Sequence, residues 1–168
     1  MPVAADSRMR SPVAWPTACP CSNASWPQGE AIGFRFGHAL VVANLGEARL
    51  LAGDGDQAQR HADRALALAR DAGERGWEAW TLRLHGNIAA RRGLLDDARA
   101  HYLSALAVAE RHGMRPLIAH CHRGLGAVLR SDHCEEDARS HLATAAGMYR
   151  EMDMRFAVDM EAQRDATA

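Results

Sequence analysis

A repeat of forty residues constrains this chain more than any other feature of its sequence. The segments DQAQRHADRALALARDAG (56–73), DDARAHYLSALAVAERHG (96–113) and EDARSHLATAAGMYREMD (136–153) follow one another at that spacing. Two alanine columns and one histidine column recur in them: Ala58, Ala98, Ala138; Ala65, Ala105, Ala145; and His61, His101, His141. Self-similarity at a fixed period of this length predicts a stack of supersecondary units that share a continuous core.

Each unit also contains an earlier helical stretch. These stretches are LVVANLGEARLLAG (40–53), WTLRLHGNIAARRG (80–93) and HCHRGLGAVLRSDH (120–133). Their interiors share a glycine column: Gly46, Gly86 and Gly126. A glycine inside a helix costs about 1 kcal/mol relative to alanine. Three at one phase therefore predict that helices approach each other closely there.

Composition and turn signals favour an all-α fold of three helix-turn-helix units. Only 5% of the 168 residues are aromatic, whereas 48% are apolar and alanine is abundant, which suits closely packed helices better than a β-sandwich. Segments 53–56, 72–76, 93–97 and 112–116 predict turns. Asp56 and Asp96 are placed to cap or to favour the helix that follows, and Pro116 suits the first turn of a helix.

The chain divides into an arm and a repeat domain. Residues 11–33, SPVAWPTACPCSNASWPQGEAIG, hold four of the six prolines and show little periodicity. We therefore predict that residues 1–33 form a disordered or loosely attached arm. Residues 34–164 form the predicted repeat domain, with units at about 36–75, 76–115 and 116–153. A C-terminal helix at 154–164 is expected to cap the array.

These columns resemble tetratricopeptide repeats. The large residue of the family's first helix corresponds to Val42, Leu82 and His122, and its Leu-Gly pair to Leu45-Gly46 and Leu125-Gly126, with His85-Gly86 in the second unit. Its bulky second-helix position corresponds to Tyr102 and Leu142, but to Ala62 in the first unit. The unit departs from the family's 34 residues, and Arg70, Glu110 and Arg150 replace the family proline. The longer period overlaps HEAT-type repeats, so that alternative stays open.

A narrower resemblance covers about residues 36–163. Segments GMRPLIAHCHRGLGAVLR (113–130) and ARSHLATAAGMYREMDMRF (138–156) are similar to the C-terminal repeats of bacterial proteins in which an adenylate/guanylate cyclase domain and an ATPase module come first. The resemblance implies a regulatory or scaffolding role in signalling. The sequence has no GxxxxGK[ST] and no strand pattern to carry catalytic aspartates, so no enzymatic activity is predicted.

The tetratricopeptide resemblance implies that the first helices line a concave groove that binds a partner protein or peptide. Carried over by position, the partner-binding residues are Trp80, Arg83, Asn87, Arg91, His120, Arg123 and Arg130, with Leu40, Ala43, Glu47 and Leu50 on the first unit. Arg83 and Asn87 resemble the pair with which some family members hold a terminal carboxylate, so an acidic or carboxylate-bearing partner is expected. The alternative is that these arginines form an ordinary solvated face.

A second function is also open, that of an oligomerisation or regulatory tail. The first helix, ALVVANLGEARLLAG (39–53), would normally stack on a preceding repeat, and none is visible upstream. An uncovered apolar face favours association with a second copy of the chain. The residues expected to mediate it are Leu40, Val42 and Leu45.

Other classes of function are not predicted. The net charge of −1 gives no field that would attract nucleic acid or a membrane surface. Cysteines at 19, 21, 121 and 134 fit neither a disulfide framework nor a zinc site, and with no apolar run of membrane length the expected location is the cytoplasm. Equivalent histidines on successive units should lie about 10 Å apart, too far for one ion. No metal, cofactor or catalytic residue is therefore expected.

Overall fold

The computed structural model describes residues 37–154, and these form six α-helices with no β-strand among them. The helices are α1 (His38–Leu51), α2 (Gly55–Asp71), α3 (Arg75–Arg91), α4 (Leu95–Arg111), α5 (Arg115–Ser131) and α6 (Glu135–Glu151). The all-α prediction is confirmed. The proposed arm, residues 1–33, and all but the first residue of the proposed cap, 154–164, lie outside the described residues.

A common turn ends every helix. The residue two positions after each helix has positive φ: Gly53, Gly73, Gly93 and Gly113, then His133 and Asp153. The next residue's amide donates to a carbonyl five positions back, as from Asp54 to Arg49 at 3.0 Å, and the positive-φ residue donates three back, as from Gly53 to Leu50 at 3.1 Å. This is the Schellman arrangement, which satisfies the last carbonyls of a helix. From α2 onward it spaces the helix starts by twenty residues, which gives the forty-residue unit.

Helix starts depend less on side-chain caps. Asp54 is the N-cap residue of α2, and its carboxylate accepts a hydrogen bond from the Gln57 amide at 3.1 Å. Asp56 and Asp96 are not caps; they lie in the first turns of α2 and α4, where a negative charge favours the helix dipole. Pro116 lies in the first turn of α5, as predicted.

The helices pack as a stack of antiparallel pairs. The pairs are α1–α2, α3–α4 and α5–α6, and the second helix of each pair contacts the first helix of the next. First helices also touch each other, α1 with α3 and α3 with α5, whereas within residues 37–154 the second helices make no contact with one another. The described array therefore curves, with its first helices on the inner side.

Small residues allow these close contacts. All six alanines of the two columns are buried, with at most 1% of their surface exposed. A Cβ on Gly46 would lie 3.1 Å from Leu84 Cδ2, one on Gly86 would lie 2.7 Å from Tyr102 Cε1, and one on Gly126 would lie 2.6 Å from Leu142 Cγ. The predicted reason for the glycine column, close helix approach, is confirmed. Gly124, outside that column, is just as crowded.

Candidate functional site: the inner face of the first helices

A line of polar and aromatic side chains crosses from α1 to α6. Glu47 on α1 accepts a hydrogen bond from Arg83 Nη2 on α3 at 2.9 Å. The Arg83 guanidinium carbon lies 4.8 Å from the centre of the Trp80 ring, and that ring lies 5.7 Å from the His120 ring on α5. His120 Nδ1 in turn forms a hydrogen bond of 2.7 Å with the Tyr149 hydroxyl on α6. The line joins all three units.

Arg83 is the most deeply placed cation of this line. Its side chain is 7% exposed, and its Nε is buried without a hydrogen-bond partner in the described part of the chain. A buried donor left unsatisfied costs about 1–3 kcal/mol. Arg83 therefore keeps hydrogen-bonding capacity that residues 37–154 do not use.

Two further donors lie beside it. The Tyr102 hydroxyl donates to Asn87 Oδ1 at 2.7 Å, and this bond leaves the Asn87 amide nitrogen without a partner among residues 37–154. Arg123 is half-buried and has no ion-pair partner within the same residues. The charges of Arg83 and Arg123 both act on Tyr102 and on His120, so both arginines lie near these two side chains.

His120 and Tyr102 are held neutral in this region. Burial, together with the nearby charges of Arg83 and Arg123, lowers the pKa of His120 to about 4, although the Glu47 carboxylate opposes this shift. Burial raises the pKa of the Tyr102 hydroxyl to about 12. Near pH 7 the two arginines are thus the local cations, and the region suits an anionic group.

The remaining residues predicted for the groove are placed less centrally. Arg91 donates to the Leu50 carbonyl at 2.6 Å and so satisfies the end of α1. Arg130 is exposed near the end of α5. Trp80 is half-buried between Arg83 and His120. The structure therefore brings Trp80, Arg83, Asn87, His120 and Arg123 together and leaves the two other arginines nearer the helix ends.

Comparison with known families agrees with this architecture. Residues 38–111, which comprise α1 to α4, match the family model of the tetratricopeptide repeat. These residues are similar to tetratricopeptide repeats. The third pair, α5–α6, lies beyond the match but continues the same helix lengths and spacing. No curated protein matches the chain. Tetratricopeptide repeats generally mediate protein–protein interaction, and the first helices form the inner face of this array.

Two pairs of histidines lie between the helices of a unit. His101 stacks on His85 with ring centres 5.2 Å apart, and His141 Nδ1 lies 2.8 Å from His122 Nδ1. No group of three or more His, Cys, Asp or Glu side chains in residues 37–154 is arranged to hold a metal ion. His120 and His122 face different neighbours, Tyr149 and His141 respectively. None of the described helices is long and apolar enough to cross a membrane.

Three apolar residues of α1 are exposed: Val41, Leu45 and Ala48, which we call the apolar stripe. The exposed polar side chain of Asn44 lies beside it. The residues forty positions after the stripe, Thr81, His85 and Ile88 on α3, are all buried. Of the three residues predicted for self-association, Leu45 belongs to the stripe and Leu40 is half-buried. Val42 is buried in a cluster with Ala43 and Ala65, so Val41 takes its place at the surface.

Sequence reasoning missed the structural roles of Tyr102 and Tyr149. Tyr102 was placed only as a bulky second-helix residue, yet it reaches both Gly86 and Gly124 and positions Asn87. Tyr149 is fully buried and fixes His120. They are the only two tyrosines in the sequence, and both lie on second helices. Their rarity was the only signal available before the helices were assembled.

Proposed function

We propose that the chain is a non-enzymatic protein–protein interaction scaffold that binds an acidic or carboxylate-bearing partner segment on the inner face of its first helices. This proposal rests on one observation: Arg83, Asn87 and Arg123, on the inner first helices, have hydrogen-bond donors that residues 37–154 leave unused. Arginine forks grip carboxylates with two parallel hydrogen bonds, and such charge-assisted bonds are stronger than neutral ones. Trp80 supplies an apolar surface next to the cations, which suits the side chains that flank a carboxylate.

Arg123→Ala tests this proposal with the least disturbance to the fold, because its side chain is only half-buried and ion-pairs with no described residue. The probe is a pool of acetylated hexapeptides of Asp, Glu, Ala, Val and Leu with a free carboxyl terminus. We expect immobilised wild type to retain members of the pool, and Arg123→Ala to retain at least tenfold less, because one of two converging charges is lost. Mass spectrometry of the eluted peptides gives the measurement.

Arg139→Ala is the matched control, because Arg139 is an exposed arginine on α6, a second helix. It removes the same charge and should retain the pool as wild type does. Equal loss in both variants would mean that only net charge matters. If wild type retains no peptide above a blank surface, the proposed function is wrong.

A second candidate is self-association through the apolar stripe of α1. Val41 is 53% exposed and Leu45 is 36% exposed, although the later units bury the equivalent positions under a preceding helix. A second copy of the chain offers the same apolar surface and can bury it in a two-fold symmetric contact. This candidate assigns the chain the role of an oligomerisation tail.

Sedimentation equilibrium of Leu45→Glu tests the second candidate. We expect the full chain to sediment as a dimer and the variant as a monomer, because a carboxylate cannot be buried in an apolar contact without a partner. Leu103→Glu is the control, since Leu103 is 49% exposed on α4, away from the stripe. A wild type that sediments as a monomer at all concentrations, or a variant that remains dimeric, would contradict this candidate.

We also keep two proposals that rest on the sequence alone. One is that the chain derives from the repeat region of a cyclase/ATPase-type signalling protein, which rests on residues 113–130 and 138–156. The other is a location in the reducing cytoplasm, which rests on cysteine spacing. In the described residues, Cys121 and Cys134 are both free thiols.

A further inference from the structure

We infer that Glu47 occupies, in the free protein, the place that a partner's carboxylate takes on Arg83, and that it thereby lowers the affinity of the groove. This inference rests on the proposed function and names the group that regulates the same site. The ligand chemistry is read from the molecule itself, because the group that Arg83 already holds is a carboxylate.

The Glu47–Arg83 pair is unequal in burial. The Arg83 side chain is 7% exposed, whereas that of Glu47 is 39% exposed. Arg83 lies against the Trp80 ring, while Glu47 reaches it from the neighbouring unit, across the α1–α3 contact. The cation is therefore held by packing, and the carboxylate stands on the solvent side, where it can leave without opening the core.

The pair is also incomplete. Among the described residues, Arg83 makes one hydrogen bond, from Nη2 to Glu47 Oε1, although a guanidinium carries five N–H donors. Its Nε stays buried and unpaired. A ligand carboxylate that approaches the same edge could accept from Nε and from a terminal nitrogen together, which the single bond to Glu47 does not achieve. A partner can thus satisfy Arg83 better than Glu47 does.

Competition follows from this geometry. A carboxylate that binds Arg83 must first displace Glu47, which is permanently present at high effective concentration because it belongs to the same chain. The negative charge of Glu47 also repels an incoming carboxylate at close range. Both effects predict that removal of this charge strengthens binding, which is the opposite of what loss of an ordinary contact residue would do.

Glu47→Gln is the test, because glutamine keeps the size of the side chain and an oxygen that can still accept from Arg83. The probe is the best-retained hexapeptide from the carboxyl-terminal pool, labelled for fluorescence polarisation. We expect the variant to bind it five- to tenfold more tightly than wild type. The Arg83 Nε–H resonance should also move on binding in both proteins, since the inference places the carboxylate on that group.

Asp97→Asn is the matched control. Asp97 is exposed in the first turn of α4, and the substitution changes the net charge as Glu47→Gln does. We expect it to change the affinity less than twofold. The inference is overturned if Glu47→Gln binds no more tightly than wild type, or if Asp97→Asn tightens binding equally.

The two proposals can fail separately. If wild type binds the peptide through Arg123 but Glu47→Gln gives no gain, only the inference about Glu47 is wrong. If no peptide is retained by wild type or by Glu47→Gln, the proposed function fails and the inference fails with it. Thermal melts followed by circular dichroism verify that both variants are folded. Glu47→Ala, which leaves no side-chain oxygen to hold Arg83, should bind the peptide at least as tightly as Glu47→Gln.

Discussion

Replacing Gly124 with alanine should lower the free energy of unfolding by about 3 kcal/mol, measured by urea denaturation. A Cβ at this position would lie 2.5 Å from both Cε1 and Cζ of the Tyr102 ring. The ring cannot retreat, because a Cβ on Gly86 of α3 would lie 2.7 Å from the same ring. Tyr102 is therefore wedged between two first helices that only glycine allows to approach it. Gly86→Ala should be destabilising for the same reason.

Gly147→Ala is the control for this prediction. Gly147 lies within α6, and a Cβ there would meet no atom within 4 Å. The usual preference of helices for alanine should then stabilise the protein by up to about 1 kcal/mol. Equal stability of the Gly124→Ala and Gly147→Ala variants would contradict the wedge. Adding Tyr102→Leu to Gly124→Ala should recover part of the loss, because the two sites are in contact and their effects are not additive.

Acidification from pH 7.5 to pH 5 should destabilise the protein by about 1–2 kcal/mol through His120. Its pKa is about 4 in the folded protein and returns towards 6.5 on unfolding. The unfolded chain therefore binds a proton between these values while the folded chain does not. Stability contributed by the neutral ring is complete above pH 6.5 and is lost as the pH falls towards 4. The ring keeps part of its surface in water, so we expect less than the full displacement would give.

Three other histidines should also lower the free energy of unfolding as the pH falls. Burial is the leading cause that lowers the pKa of each of His61, His85 and His122. The neighbouring His101 lowers the pKa of His85 further and His141 that of His122, while Asp63 and Glu110 respectively oppose the shift. Each of these rings thus favours the neutral form in the folded protein, and protonation places like charges between the two helices of a unit.

Urea denaturation at a series of pH values measures the slope of the free energy of unfolding against pH. His120→Gln should reduce it, because the variant has no titrating ring beside Tyr149. His112→Gln is the control, since His112 is an exposed residue after α4, and its slope should match wild type. A wild-type stability that stays constant from pH 7.5 to pH 5 would contradict the prediction, as would an unchanged slope in His120→Gln.

The repeat made much of the fold predictable. Gly46, Gly86 and Gly126 stand at one phase of successive units, and each indeed marks a close approach. Gly124 could not be found in this way, because its crowding comes from Tyr102, a residue of the preceding unit. A column shows what every unit needs, whereas a contact made once, between two particular units, leaves no periodic signal.

The sequence predicted which residues belong to the candidate site, but not which side chains from other helices each of them contacts. The resemblance predicts that Trp80, Arg83 and Asn87 lie on one side of α3 and that Arg123 lies on the corresponding side of α5. That Arg83 is buried beneath Glu47, and that Asn87 is held by Tyr102, depends on side chains from other helices. Periodicity indicates which way a side chain points, but not which neighbour meets it there.

The sequence by itself determined the secondary structure, the forty-residue period and the inward direction of the small residues. It could do so because helix propensity, turn chemistry and amphipathic spacing are properties of neighbouring residues. Only the tertiary structure decided which cations remain available, which histidines stay neutral and which apolar stripe of α1 is left open. Those outcomes depend on burial and on partners that lie about twenty or forty positions away, and they exist only once the helices have stacked.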